Sequence, residues 1–119
     1  MRVLIVEPLK APYEREIGND LKSMQSVVGG YIQAIYPFDD EEIALICNEE
    51  GKLIGLAPNR RLGDDILCGV FYVVAEDDEG ELVSLTPEQV EKYSEFFGTF
   101  ESIPAEEVDH TVVFRFYPL

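Results

Sequence analysis

Tryptophan is absent from this 119-residue chain, histidine occurs once and cysteine twice. Basic residues are scarce as well: nine Lys and Arg stand against 24 Asp and Glu, a formal net charge of −15 at pH 7. Each shortage excludes something. A negative field of that size repels nucleic-acid phosphates over most of the surface, so direct nucleic-acid binding is not expected. The single histidine, His110, lies in the acidic tail, far in sequence from Cys47 and Cys68, so no nucleophile has an evident imidazole base. Cys47 and Cys68 form no Cys-x-x-Cys or Cys/His cluster; both read as reduced, buried thiols, with no metal and no cofactor expected. A glycine-rich phosphate loop is also missing. No apolar run approaches the ~20 residues of a membrane span, and the stretch Met1–Glu7 is too short and lacks the cleavage site of a secretory signal. A cytoplasmic protein without membrane attachment is the expectation.

What is present is an ordinary globular composition, 46% hydrophobic with seven Phe and six Tyr, enough for one domain with its own core. Continuous apolar runs predict strands at Arg2–Glu7, Tyr31–Tyr36, Ile43–Cys47 and Ile66–Ala75, the first covered on both faces. Ile17, Leu21, Met24 and Val28 recur at helical spacing, predicting a helix over Tyr13–Val28 that stops at Gly29-Gly30. Glu49–Lys52 resembles a hairpin turn with Gly51 at positive φ, returning as a short strand over Leu53–Leu56; Ala57–Gly63 reads as a loop or a single helical turn. Leu82–Leu85 is a short strand. Thr86-Pro87-Glu88-Gln89 starts a second helix with a capping box, and Val90, Tyr93, Phe96 and Phe97 form its inner face. Val112, Phe114 and Phe116 alternate along Thr111–Tyr117, predicting an edge strand whose apolar face needs cover, and with it a homo-oligomer. The sum is an α+β fold: a mostly antiparallel sheet of about six to seven strands with two helices packed on one face. Residues 1–98 form the domain and 99–119 a C-terminal extension.

The acidic turns Asp39–Glu42 and Glu76–Glu81 lack the Asp-x-Asp-x-Asp-Gly pattern of a calcium loop and read as solubilising turns. The cations carry more information because they are few. Lys52, Arg60 and Arg61 are three of the nine within ten residues, flanked by Asn48 and Asn59, with Tyr31 and Tyr36 as stacking faces nearby. One reading is an anion site, since a guanidinium fork grips phosphate and an amide reads a polar edge. The other is that Arg60 and Arg61 balance Asp64 and Asp65, or Glu49 and Glu50.

Val27-Val28-Gly29-Gly30-Tyr31-Ile32, then Ile46-Cys47-Asn48-Glu49-Glu50-Gly51-Lys52-Leu53, then Leu56-Ala57-Pro58-Asn59-Arg60-Arg61 form an ordered set of motifs. With the opening Val3–Pro8 and the stretch Ser84–Gln89, they resemble the domain of unknown function 3846 family of bacteria, phages and mobile elements, over about residues 1–98. The resemblance carries no established activity. It implies an accessory protein in a bacterial cytoplasm, of a setting in which host defence is countered. Two functions follow. The first is a non-catalytic binder that sequesters a small phosphate-bearing, nucleotide-like ligand through Tyr31, Asn48, Lys52, Asn59, Arg60 and Arg61. The second is an acidic inhibitor that mimics DNA and engages the basic face of a nuclease or restriction-type enzyme.

Overall fold

The computed structural model describes residues 1–40 and 42–108. In chain order they form β1 (Arg2–Val6), β2 (Tyr13–Glu16), α1 (Leu21–Val28), β3 (Ile32–Ile35), β4 (Ile43–Asn48), β5 (Pro58–Leu62), β6 (Asp65–Cys68), β7 (Phe71–Glu76), β8 (Leu82–Val83), α2 (Pro87–Phe96) and a 3-10 turn at Ala105–Glu107. The main sheet has six strands in the order β2-β1-β7-β4-β3, with β8 on β7, every pair antiparallel. β5 and β6 make a separate antiparallel ribbon. The α+β class and the mostly antiparallel sheet are as the sequence predicts.

The placement of the helices is not. The apolar runs of β1, β4 and β7 send alternate residues to opposite faces. Leu4, Val6, Leu45, Phe71 and Val73 pack with Tyr93 and Phe97 of α2. Val3, Ile5, Ala44, Ile46, Tyr72 and Val74 pack with Val28 of α1, and Met24 and Val27 close over them. The two helices therefore cover opposite faces, not one. The physical reason is the unbroken apolar character of the central strands: both faces are apolar, so both need a lid.

Local differences have similar causes. Tyr13–Glu16 is a strand on the edge of β1 rather than the start of a helix. Asp20 caps α1, its carboxylate accepting from Ser23 N at 3.1 Å, so the helix begins after Gly18-Asn19. Leu21 then falls on the outside, 56% exposed, whereas Ile17 packs onto the sheet from outside the helix. Residues 49–55 are a turn and Leu56 belongs to no strand, so the expected return strand does not form; Leu53 and Ile54 are exposed. Gly51 is needed there for space, not for positive φ: a Cβ would meet the Cys68 carbonyl oxygen at 2.8 Å. Ile66–Ala75 is two strands, because Gly69 turns the chain at φ 82° between β6 and β7. The capping box of α2 forms as expected from Thr86 and Gln89.

Beyond residue 98 the chain stays attached. Ile103 and Val108 pack with Ile66 and Cys68 on the outer side of the ribbon. The expected edge strand Thr111–Tyr117, His110 and the self-association argued from that edge lie outside the described residues.

Candidate functional site

The polar residues singled out by the sequence converge on the ribbon. β5 and β6 pair Pro58 with Cys68 and Arg60 with Leu67, leaving Asn59 as the extra residue of a β-bulge. A bulge breaks the strict alternation of a strand. Here it lets Asn59 and Arg60 both turn inward in succession, while Arg61 faces solvent. Asn59 donates through Nδ2 to the carbonyls of Val6 (2.9 Å) and Gly69 (2.8 Å), joining β1 to the β6–β7 turn. Its Oδ1 accepts from Arg60 Nη1 at 2.7 Å.

Arg60 is only 4% exposed. Its Nε and Nη2 donate to the Phe97 carbonyl at the C-terminal end of α2, at 3.2 and 3.1 Å. Nη2 also reaches the Lys10 carbonyl at 2.6 Å and Nη1 the Glu7 carbonyl at 3.3 Å. The Phe100 ring lies 4.8 Å below the guanidinium. Among the described residues Arg60 forms no ion pair; carbonyl dipoles and a ring face solvate it, and burial lowers its pKa. The helix end suits a cation, because the last carbonyls of α2 carry the negative end of its dipole.

The other candidates are also engaged. Lys52 is buried in an ion pair with Asp65, whose Oδ1 also accepts from Ile66 N at 2.8 Å. Asn48 spans Val28 O and Glu50 N at 3.2 and 2.8 Å, holding the end of α1 to the turn after β4. Arg61 is exposed but fully paired: Nε with Glu101 at 2.8 Å and Nη2 with Glu107 at 2.6 Å, bonds that raise its pKa. Tyr31 is 67% exposed, its carbonyl accepting from Glu49 N. The structure thus brings Asn59 and Arg60 together. Of the six residues proposed to bind a ligand, Asn48, Lys52, Asn59 and Arg60 are buried and bonded within the fold, and Tyr31 and Arg61 are exposed. Nor does Arg60 balance Asp64, Asp65, Glu49 or Glu50; the carboxylates that hold Arg61 come from the C-terminal segment.

Three other features bear on function. A groove of about 530 Å³ lies between Phe38–Asp40 and α2, with Phe96, 54% exposed, on its wall. The sequence reading placed Phe96 beside Phe97 in the core. Neighbours on a helix lie ~100° apart, so one of the pair must leave that face, and Phe96 does. A second cleft of about 430 Å³ separates β2 from α1, with Arg15, Lys22, Ser23 and Ser26 on its lining. Third, Cys47 is buried, and that burial pushes its thiol up to about 12. Among the described residues no three His, Cys, Asp or Glu side chains are grouped to hold a metal, and no helix is long and apolar enough to cross a membrane.

No curated protein and no solved structure matches the chain significantly. One family does, over residues 1–98, in agreement with the motifs that run from the Gly29-Gly30 stop of α1 to Arg61 on β5, and the chain belongs to it: the domain of unknown function DUF3846.

Proposed function

We propose that this chain is a non-catalytic interaction module whose acidic surface engages a basic partner face in the bacterial cytoplasm. Such faces are those with which nucleases and restriction-type enzymes hold nucleic acid, and the module acts as a competitor for them. The observation that carries the reading is the disposition of the cations. Lys52 and Arg60 are withdrawn into the interior. Arg2, Lys10, Arg61 and Lys92 each lie within 4 Å of a carboxylate. The acidic residues lie largely at the surface and outnumber the cations 24 to nine, so a partner meets a strongly negative field in which, among the described residues, Arg15 and Lys22 are the exposed cations outside an ion pair. Complementary potential of this kind governs association rate and partner choice.

The test is affinity capture with the full chain at low salt, followed by competition. The expected partner is basic, is released by sodium chloride and is displaced by duplex DNA. A neutral partner whose binding ignores salt refutes the reading. The second reading, sequestration of a small nucleotide-like anion that signals host immunity, has the β2–α1 cleft in its favour: Arg15 and Lys22 form no ion pair among the described residues. Native mass spectrometry of the purified chain showing a bound phosphate-bearing molecule would replace the first reading by this one. Light scattering at rising concentration tests the homo-oligomer that belongs to either.

A further inference from the structure

The groove beside α2 is built from aromatic rings that begin in the core and end in solvent. Tyr93 is buried against the sheet, and Phe38 packs on it at a tilt, with centroids 5.0 Å apart. Phe96 meets Phe38 edge-on at 5.1 Å and Phe97 at 4.8 Å, so its exposed ring is braced from two sides. An exposed phenylalanine fixed in this way is a preformed apolar contact, not a loose side chain. The rim is acidic. Asp39 and Asp40 stand on one bank and Glu95 on the other. The Asp40 turn is held by Glu42 N on Oδ1 at 3.1 Å and Ile43 N on the backbone carbonyl at 3.2 Å. The Tyr93 hydroxyl donates to Oδ2 of Asp40 at 3.3 Å.

Within this groove the molecule already places a cation over a ring. Lys92 Nζ lies 5.3 Å from the Tyr93 centroid and 3.9 Å from Asp40 Oδ2. The side chain is exposed and its ion pair long, so it holds the place weakly. A guanidinium does both jobs better: it is flat, stacks on a ring face and offers paired N–H donors to a carboxylate.

We propose that this groove is the docking point for an arginine of the basic partner, its neighbouring aliphatic residues lying on Phe96 and Phe38 and its guanidinium taking the place of Lys92 beside Asp40, with Asp39 and Glu95 on the rim. The inference rests on the acidic-module reading and narrows it to one contact. Charge complementarity selects the occupant. The banks carry three carboxylates against one ammonium, which repels an anionic lipid surface or nucleic acid and attracts a basic protein segment.

The experiment uses the full chain and a fluorescein-labelled peptide alternating arginine and leucine, read by anisotropy at low salt. An oligolysine peptide of equal charge is the comparison. The wild-type chain is expected to prefer the arginine–leucine peptide. Phe96→Ala and Glu95→Gln should each weaken that peptide about two- to fivefold while changing oligolysine less. Lys92→Gln should strengthen it by a similar factor, an opposite sign that general loss of structure would not produce. All three side chains are exposed, and circular dichroism verifies folding. Equal affinity for both peptides, unmoved by the three substitutions, overturns the groove and leaves the acidic-module reading standing. Failure of both peptides to bind the wild-type chain overturns both readings.

Discussion

Replacing Arg60 with methionine separates an interior role from a surface one. The substitution keeps the length and apolar stem of the side chain but removes all five N–H donors. Five acceptors then lose a partner: the carbonyls of Glu7, Lys10 and Phe97, Asn59 Oδ1, and, by a long bond of 3.4 Å, the Asn59 carbonyl. Glu7 and Lys10 sit in a surface loop where water can substitute, so they contribute little. Phe97 and Asn59 are 2% and 1% exposed. A buried acceptor left unpaired costs about 1–3 kcal/mol, and two give ~2–6 kcal/mol. Relief from burying a cation offsets part of that. The expected net loss is about 3 kcal/mol, or roughly 10–18 °C in Tm for a domain of this size. Leu9 works in the opposite direction: it holds φ 59° between two carbonyls that Arg60 grips, and letting that strained backbone relax returns a part of the loss. Arg60→Lys should recover about half at most, since one ammonium cannot reach both the Phe97 carbonyl and the Asn59 amide. Urea melts of the three chains give the answer. An Arg60→Met chain within about 1 kcal/mol of wild type refutes this account, for that is the size of effect a surface charge produces.

Further outcomes follow from the same structure. Phe71 is fully buried between β1 and α2, so Phe71→Ala should cost roughly 3–5 kcal/mol by urea denaturation. Burial holds both the Cys47 thiol and the Tyr93 hydroxyl up at about 12 from ordinary values of 9.0 and 10.0. Unfolding frees both to ionise, so their contribution is whole below pH 9.0 and is lost as pH rises toward about 12. Melts that keep their midpoint through that window would refute this. Ending the chain at Gly98 removes Ile103 and Val108 from the ribbon; each buried apolar side chain is worth roughly 1.5–3 kcal/mol, and a chain ending at Val108 is the comparison. At −15 the surface repels itself, so melting temperature should rise from low to physiological ionic strength; a steady fall would show that local ion pairs dominate.

The parts of the fold legible in the sequence are those whose cause is local. The apolar runs of β1, β4 and β7, and the Thr86–Gln89 capping box of α2, each announce themselves within a few residues. The expectation failed where distant partners decide. Tyr13–Glu16 is polar and all exposed, yet it is a strand because β1 offers it an edge. Pro58–Leu62 carries Asn59 and Arg60 inward, an arrangement whose acceptors lie at Val6, Glu7, Lys10 and Phe97. Nothing near Arg60 in sequence marks those carbonyls, so its scarcity and charge pointed to a ligand. The signals that were available are small: Gly18 before Asp20 for the late start of α1, Gly69 for the break between β6 and β7, and the Phe96-Phe97 doublet for a ring turned outward.

The pairing of β1 with β7 has a consequence for synthesis. Leu4 lies opposite Val73, so the first strand made waits for one of the last in its sheet. β3 and β4, and β5 and β6, are near neighbours in sequence and can close as each leaves the ribosome. Until β7 follows, Val3–Val6 is paired with β2 alone, and its Leu4 and Val6 face waits longer still for α2. A nascent chain stalled before residue 71 therefore displays an apolar strand with one open edge, the feature that chaperones recognise and that aggregation exploits.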